Sequence, residues 1–141
     1  MKITTNTISK LFLGLLRYMF GGADTWMKSL LILMLLDVIT GIVKAMLGKS
    51  EKSSKGYLDS AIMWQGGLKK LLTLTIICVS TIINYVTFPD TTVIRTATIS
   101  YYVATEALSI LENASVCGLP LPKSLKNVLE KIKNENNEKN I

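Results

Sequence analysis

The chain has 141 residues, 49% of them hydrophobic, and 18% charged residues where a soluble domain carries about 25%. Sixteen Lys and Arg against ten Asp and Glu give a net charge of +6, and there is no histidine. That composition removes the commonest general base and metal ligand. The cations fall between and after apolar blocks rather than on one folded face, which excludes nucleic acid and makes anionic lipid headgroups the expected partner.

The first element is an amphipathic helix. Ile8, Leu11, Phe12, Leu15, Leu16, Met19 and Phe20 recur at helical spacing on one face, with Lys10 and Arg17 off it. Arg17 interrupts the apolar block and no small-residue cleavage pattern comes after it, so the segment does not read as a signal peptide. It is expected to lie in the membrane interface or to pack on the rest of the chain, with a fourth short span as the other reading. Gly21-Gly22 breaks it, and Asp24 or Thr25 is placed to cap the next helix.

Three apolar blocks then predict an all-α integral membrane protein. Residues 71–88 (LLTLTIICVSTIINYVTF) carry no charged side chain, and at about 1.5 Å per residue they nearly match a hydrocarbon core roughly 30 Å thick. Residues 25–47 and 96–111 are the two flanking spans, each with one internal carboxylate, Asp37 and Glu106. The predicted organisation is an interfacial helix over 1–24, a transmembrane domain over 25–112 with a basic loop at 48–70, and a cytoplasmic tail over 113–141.

Orientation follows from the cations. Lys49, Lys52 and Lys55 occupy the first loop, with Lys44, Lys69 and Lys70 at its edges. Lys123, Lys126, Lys131, Lys133 and Lys139 come after the third span, whereas the short second loop has Arg95 alone. The positive-inside rule makes the first loop and the tail cytoplasmic and puts the N-terminus outside. Lys2, Lys10, Arg17 and Lys28 argue the other way, which keeps a four-span topology open. Gly66-Gly67 reads as a hinge before a basic headgroup anchor.

The polar residues within the spans are spaced as stripes. Asp37, Thr40, Gly41, Lys44 and Gly48 share one face of the first span. Thr98, Tyr101, Tyr102, Thr105, Ser109 and Glu112 share one face of the third, with Glu106 beside them, and Thr73, Ser80 and Asn84 form a thinner line on the second. A lone charge at the bilayer centre costs about 2.5–3.5 kcal/mol on insertion scales, so such residues must protonate, pair or find water. Hydroxyls and glycines alone are ordinary helix-packing residues. The two carboxylates tip the balance. Asp37, Thr40, Gly41, Lys44, Thr105, Glu106 and Ser109 are the candidate pore-lining or oligomer-contact residues, ahead of an intramolecular pair.

Catalysis has little support. Neither Leu36-Asp37-Val38 nor Thr105-Glu106-Ala107 carries a catalytic signature, and there is no phosphate loop, nucleophile elbow or metal-spaced cluster. Cys78 and Cys117 have no CxxC spacing and read as small apolar residues. No metal or cofactor is expected. After the third span, Asn113 to Gly118 end the helix, and Pro120 and Pro122 forbid its continuation. Pro122 or Lys123 then opens a short amphipathic helix with Leu121, Leu125, Leu129 and Ile132 on one face, before a polar end.

The pattern Glu106-x-x-Ser109-Ile110-Leu111-x-Asn113, then Gly118-Leu119-Pro120-x-Pro122-Lys123-x-Leu125, resembles the toxin secretion/phage lysis holin family of clostridial phages and toxin loci. Asp37-x-x-x-Gly41 and Gly67-x-x-Lys70 resemble the same family at corresponding places, so the likeness covers residues 33–132. The resemblance implies a phage- or host-encoded, non-enzymatic protein of the bacterial cytoplasmic membrane. Such a protein oligomerises with itself and opens lesions that release an endolysin or a large toxin. Two other classes stay open: a small ion- or proton-conducting membrane protein, and a membrane-anchored adaptor acting through its basic tail.

Overall fold

The structure is a computed structural model that describes residues 5–50, 59–125, 127, 128 and 131. Four helices account for most of it: α1 (Thr5–Phe20), α2 (Thr25–Met46), α3 (Ser60–Thr87) and α4 (Val93–Val116). No strand occurs among the described residues. Each boundary has a local cause. Gly21 and Gly22 adopt φ of 70° and 95°, a left-handed backbone that ends α1. The Asp24 carboxylate accepts a hydrogen bond from the Met27 N–H at 2.9 Å and caps α2. Asp59 caps α3 in the same way through the Ala61 N–H at 2.8 Å.

Helices α2 and α4 end in the same motif. After Leu47, the Gly48 N–H donates to the Ala45 carbonyl and the Lys49 N–H reaches back to that of Lys44. After Cys117, the Gly118 N–H donates to Ser115 and the Leu119 N–H to Ala114. These are Schellman closures with glycine in the left-handed position, φ 67° and 93°. The glycine of the Gly118-Leu119-Pro120-Leu121-Pro122 segment therefore ends α4, and the prolines keep the chain extended beyond it. Lys123 to Leu125, Asn127, Val128 and Lys131 are helical, as expected for the tail, while Leu129 and Ile132 of its predicted face lie outside the described residues.

Helices α2 and α4 run parallel, in contact at both ends, with α3 antiparallel to them. At one end Arg95 of α4 reaches Asp24 before α2; at the other the Lys49 ammonium donates to the Cys117 carbonyl at 3.4 Å. A small core of Met27, Leu30, Met34, Ile77 and Ile99 lies between them, with Phe20, Leu74, Tyr102 and Val103 packed around it. The turn from α3 to α4 is closed by one buried side chain, Asn84. Its amide donates to the Phe88 and Thr91 carbonyls, and its oxygen accepts from the Ile94 N–H at 3.0 Å.

The outer surface is apolar. Leu35, Leu72, Val79 and Val86 are each at least half exposed on α2 and α3, an arrangement that fits hydrocarbon rather than water. Helices α2 and α3 are long and apolar enough to cross a bilayer. The expected third span lies inside α4, which is long enough, but Arg95, Glu106 and its hydroxyl groups leave it short of that criterion. Two other expectations change. The predicted loop 48–70 becomes helical at Ser60, about three turns before residue 71. Helix α3 also runs unbroken through Gly66-Gly67, which form no hinge.

Helix α1 packs by its C-terminal end. Leu16, Met19 and Phe20 are half-buried, and the Tyr18 ring stacks on Tyr85 of α3 at 5.3 Å. Ile8, Leu11, Phe12 and Leu15 of the predicted face remain exposed.

Arg95, the lone cation expected in a short loop, is instead the most enclosed charge of the fold at 2% exposure in the first turn of α4. Its Nε donates to the Phe20 carbonyl at 2.6 Å, and Nη1 and Nη2 reach the two Asp24 oxygens at 2.6 and 3.3 Å. Nη2 also donates to the Gly22 carbonyl at 3.1 Å. One guanidinium thus ties the end of α1, the linker and the start of α2 to α4. A Cβ on Gly21 would stand 2.5 Å from Arg95 Nε. Gly21→Ala is therefore expected to destabilise the fold by about 1–3 kcal/mol, through left-handed strain and displacement of the guanidinium, measured by thermal unfolding in detergent. The Arg95 guanidinium also holds the Asp24 carboxyl below its ordinary value. Because the folded value is the lower one, this stabilisation is complete above the ordinary carboxylate range and fades as pH falls through the depressed value. Asp24→Asn should lower the melting temperature at neutral pH and abolish that acid-side dependence.

Candidate functional site

The polar stripes meet inside the bundle. Asp37 lies more than two turns from either end of α2, and Lys70 and Glu106 are as deep within α3 and α4. The Lys70 ammonium sits between the two carboxylates, 2.9 Å from Asp37 Oδ2 and 2.6 Å from Glu106 Oε2. Asn113, one of the expected motif residues, completes the group. Its amide donates to Thr40 Oγ1 at 3.2 Å and to Asp37 Oδ1 at 3.4 Å, while the Thr40 hydroxyl donates to the Asp37 carbonyl. Gly41 lies beside the Asn113 amide, and a Cβ there would make ordinary contact with it at 3.9 Å. Three helices are joined through one connected set of charges.

Of the seven candidates, Asp37, Thr40 and Glu106 are members of this network, and Gly41 lies beside it. Lys44 and Ser109 line a cavity of about 190 Å³ beside it, together with Asp37, Lys70 and Asn113. Thr105 is separate: it is exposed, and its hydroxyl donates back to the Tyr101 carbonyl at 2.9 Å. Within one chain both carboxylates are paired with Lys70. Lys70 is the residue that sequence reasoning misplaced. It stands at the border of a charge-free run and looks like a headgroup anchor, but α3 begins three turns earlier and carries it inward. The signal available was its spacing from Gly67, which belongs to the family pattern but assigns the lysine no role.

Among the motif residues, Gly118 closes α4, and Leu119, Pro120 and Pro122 are exposed on the chain leaving it. Every buried side-chain nitrogen and oxygen among the described residues has a partner. In hydrocarbon, that satisfaction is what allows the charges to stay.

Comparison with known proteins agrees with the resemblance. Residues 14–134 match the bacteriophage holin family. A probable holin of Bacillus phage phi105 is 32% identical over 123 residues, covering 86% of this chain and 84% of that protein. An uncharacterised Clostridium acetobutylicum protein is 37% identical over 83% of this chain and 88% of its own length. An uncharacterised 14.9 kDa protein from the nagH 3' region of Clostridium perfringens is 31% identical over 86% of each chain. No solved structure matches.

The charge network makes a stability prediction. Removing one partner of a buried ion pair costs about 3–5 kcal/mol, whereas replacing the whole set by neutral groups is close to neutral. Lys70 and Asp37 are each about one-fifth exposed, so Lys70→Met should lower stability in detergent by less than that amount. Combining it with Asp37→Asn and Glu106→Gln should restore most of the loss, as non-additivity in a thermal-unfolding cycle. Additive losses would mean that the three side chains do not act as one unit.

With two apolar helices long enough to cross a bilayer and a family match over most of its length, this chain is a membrane protein that belongs to the bacteriophage holin family.

Proposed function

We propose that this protein oligomerises in the bacterial cytoplasmic membrane and opens lesions that release an endolysin, or a large toxin, from the cytoplasm. The observation that carries the reading is the polar centre shared by α2, α3 and α4 inside an apolar bundle. Family membership and the probable holin of phage phi105 support it. In this reading α2, α3 and α4 all cross the bilayer, and α4 does so because Arg95 and Glu106 are covered by its neighbours while Glu112 lies near its end. The lysine-rich loop and tail face the cytoplasm.

The mechanism uses the same contacts twice. While Lys70 bridges Asp37 and Glu106, the stripes of α2 and α4 are closed against each other and the chain presents apolar surface to lipid. In a larger ring the helices separate and turn Asp37, Thr40, Lys44, Glu106 and Ser109 towards water, whose solvation of the charges replaces the lost pairing. Thr105, already on the outer face of α4, contacts a neighbouring copy. Two packings of one sequence with a few kcal/mol between them make a switch.

Inducible expression in a bacterium holding an endolysin without an export signal tests the function. Membrane potential and release of a cytoplasmic marker enzyme are expected to fail together, abruptly and only after a delay, with lysis dependent on the endolysin. Depolarisation without release would replace the proposal by a small conducting channel, and neither effect would favour an adaptor. Asp37→Asn with Glu106→Gln should shift the onset of release. Unchanged timing and lesion size would count against the switch but leave the lesion reading standing.

A further inference from the structure

A second cavity, about 780 Å³, lies between α1 and α2 at the end of the bundle opposite the lysine-rich loop. Its walls are apolar: Leu13, Leu16 and Phe20 from α1, Met27 and Leu31 from α2, and Leu74 from α3. One end is polar, formed by the linker from Gly21 to Asp24, with Arg17 beside it. From these features we infer that the groove is a binding site for one anionic phospholipid, with an acyl chain between α1 and α2 and the phosphodiester at Arg17.

Charge decides between a charged and a neutral occupant. Asp24 and Arg95 neutralise each other in the ion pair at 2.6 Å. Arg17 makes no hydrogen bond or ion pair with any described residue. The polar end of the groove therefore keeps one uncompensated guanidinium. A guanidinium binds a phosphate through paired N–H donors, which suits a lipid phosphodiester. The apolar walls exclude a free phosphate as the complete occupant, since they would stay uncovered. An amphiphile with a negative head and a hydrocarbon tail satisfies both halves.

The site differs from the general attraction of the lysine-rich loop and tail for anionic headgroups. It is a single groove, at the other end of the bundle, built where α1 diverges from α2 beyond the Arg95 node. It also gives the exposed Leu13 of α1 an apolar partner. The inference rests on these helices lying in a bilayer and not on lesion formation.

Native mass spectrometry of the full-length protein, released from nanodiscs holding equal phosphatidylglycerol and phosphatidylcholine, tests it. One phosphatidylglycerol per chain should be retained in preference to phosphatidylcholine: both carry the phosphodiester, but the choline cation of the second cancels its negative charge beside the unpaired guanidinium. Arg17→Gln should erase the preference and Arg17→Lys should keep most of it. Leu16→Trp and Leu31→Trp, which fill the groove from opposite walls, should each reduce retention, with helix content by circular dichroism confirming an intact bundle. Equal retention of both lipids, or an unchanged preference in Arg17→Gln, would overturn the site. So would efficient disulfide formation between two copies carrying Leu16→Cys in a Cys78→Ser, Cys117→Ser background, because the groove would then be covered by protein.

Discussion

An ammonium held between two carboxylates is what lets three helices with charged interiors share one apolar bundle. Asp37, Lys70 and Glu106 would each be expelled from hydrocarbon alone, at about 2.5–3.5 kcal/mol or more. Together they stand at 2.9 and 2.6 Å, with Asn113 and Thr40 taking up remaining hydrogen-bonding capacity. The arrangement brings α2 and α4 into parallel contact with α3 between their charges. It also explains why α4 can be so polar. Glu106 and Arg95 are turned towards protein, while Tyr101, Thr105 and Glu112 of its stripe stay exposed.

The opposite end of the bundle uses different chemistry for a similar purpose. Arg95 gathers two carbonyls and one carboxylate from the α1–α2 linker, and Gly21 leaves the space that the guanidinium needs. Asn84 does the same on a smaller scale for the α3–α4 turn. Short connections in a membrane protein cannot leave backbone groups bare at the edge of hydrocarbon. Here two buried side chains complete several of them. Between the two ends the core is thin, so directional polar contacts define the bundle as much as packing does.

A bundle held in this way is suited to rearrangement. Apolar packing between helices brings little net gain when the alternative solvent is lipid, so the contacts that discriminate one packing from another are the polar ones. Those same contacts can be exchanged for water or for a neighbouring copy at modest cost. The apolar groove beside α1 adds lipid as a third partner, after protein and water.

Much of this was legible from residue order. The apolar runs announced α2 and α3, the spacing of Ile8 to Phe20 announced α1, and Gly118 with its prolines announced the end of α4. All of these are local properties, set within one or two helical turns by periodicity, capping and backbone conformation. The stripes on α2 and α4 were visible for the same reason. What they would face was not, because a stripe has no address until another helix lies against it. Lys70 shows the difference best. Beside a charge-free run it reads as an anchor in the headgroups; with α3 extended back to Ser60 it becomes the counter-ion of two distant carboxylates. Arg95 changed meaning likewise, from a loop cation to a buried tie, once α4 began before it. Pairings over thirty to seventy positions depend on how helices are stacked, and that information lies in the sum of many weak contacts rather than in any short pattern.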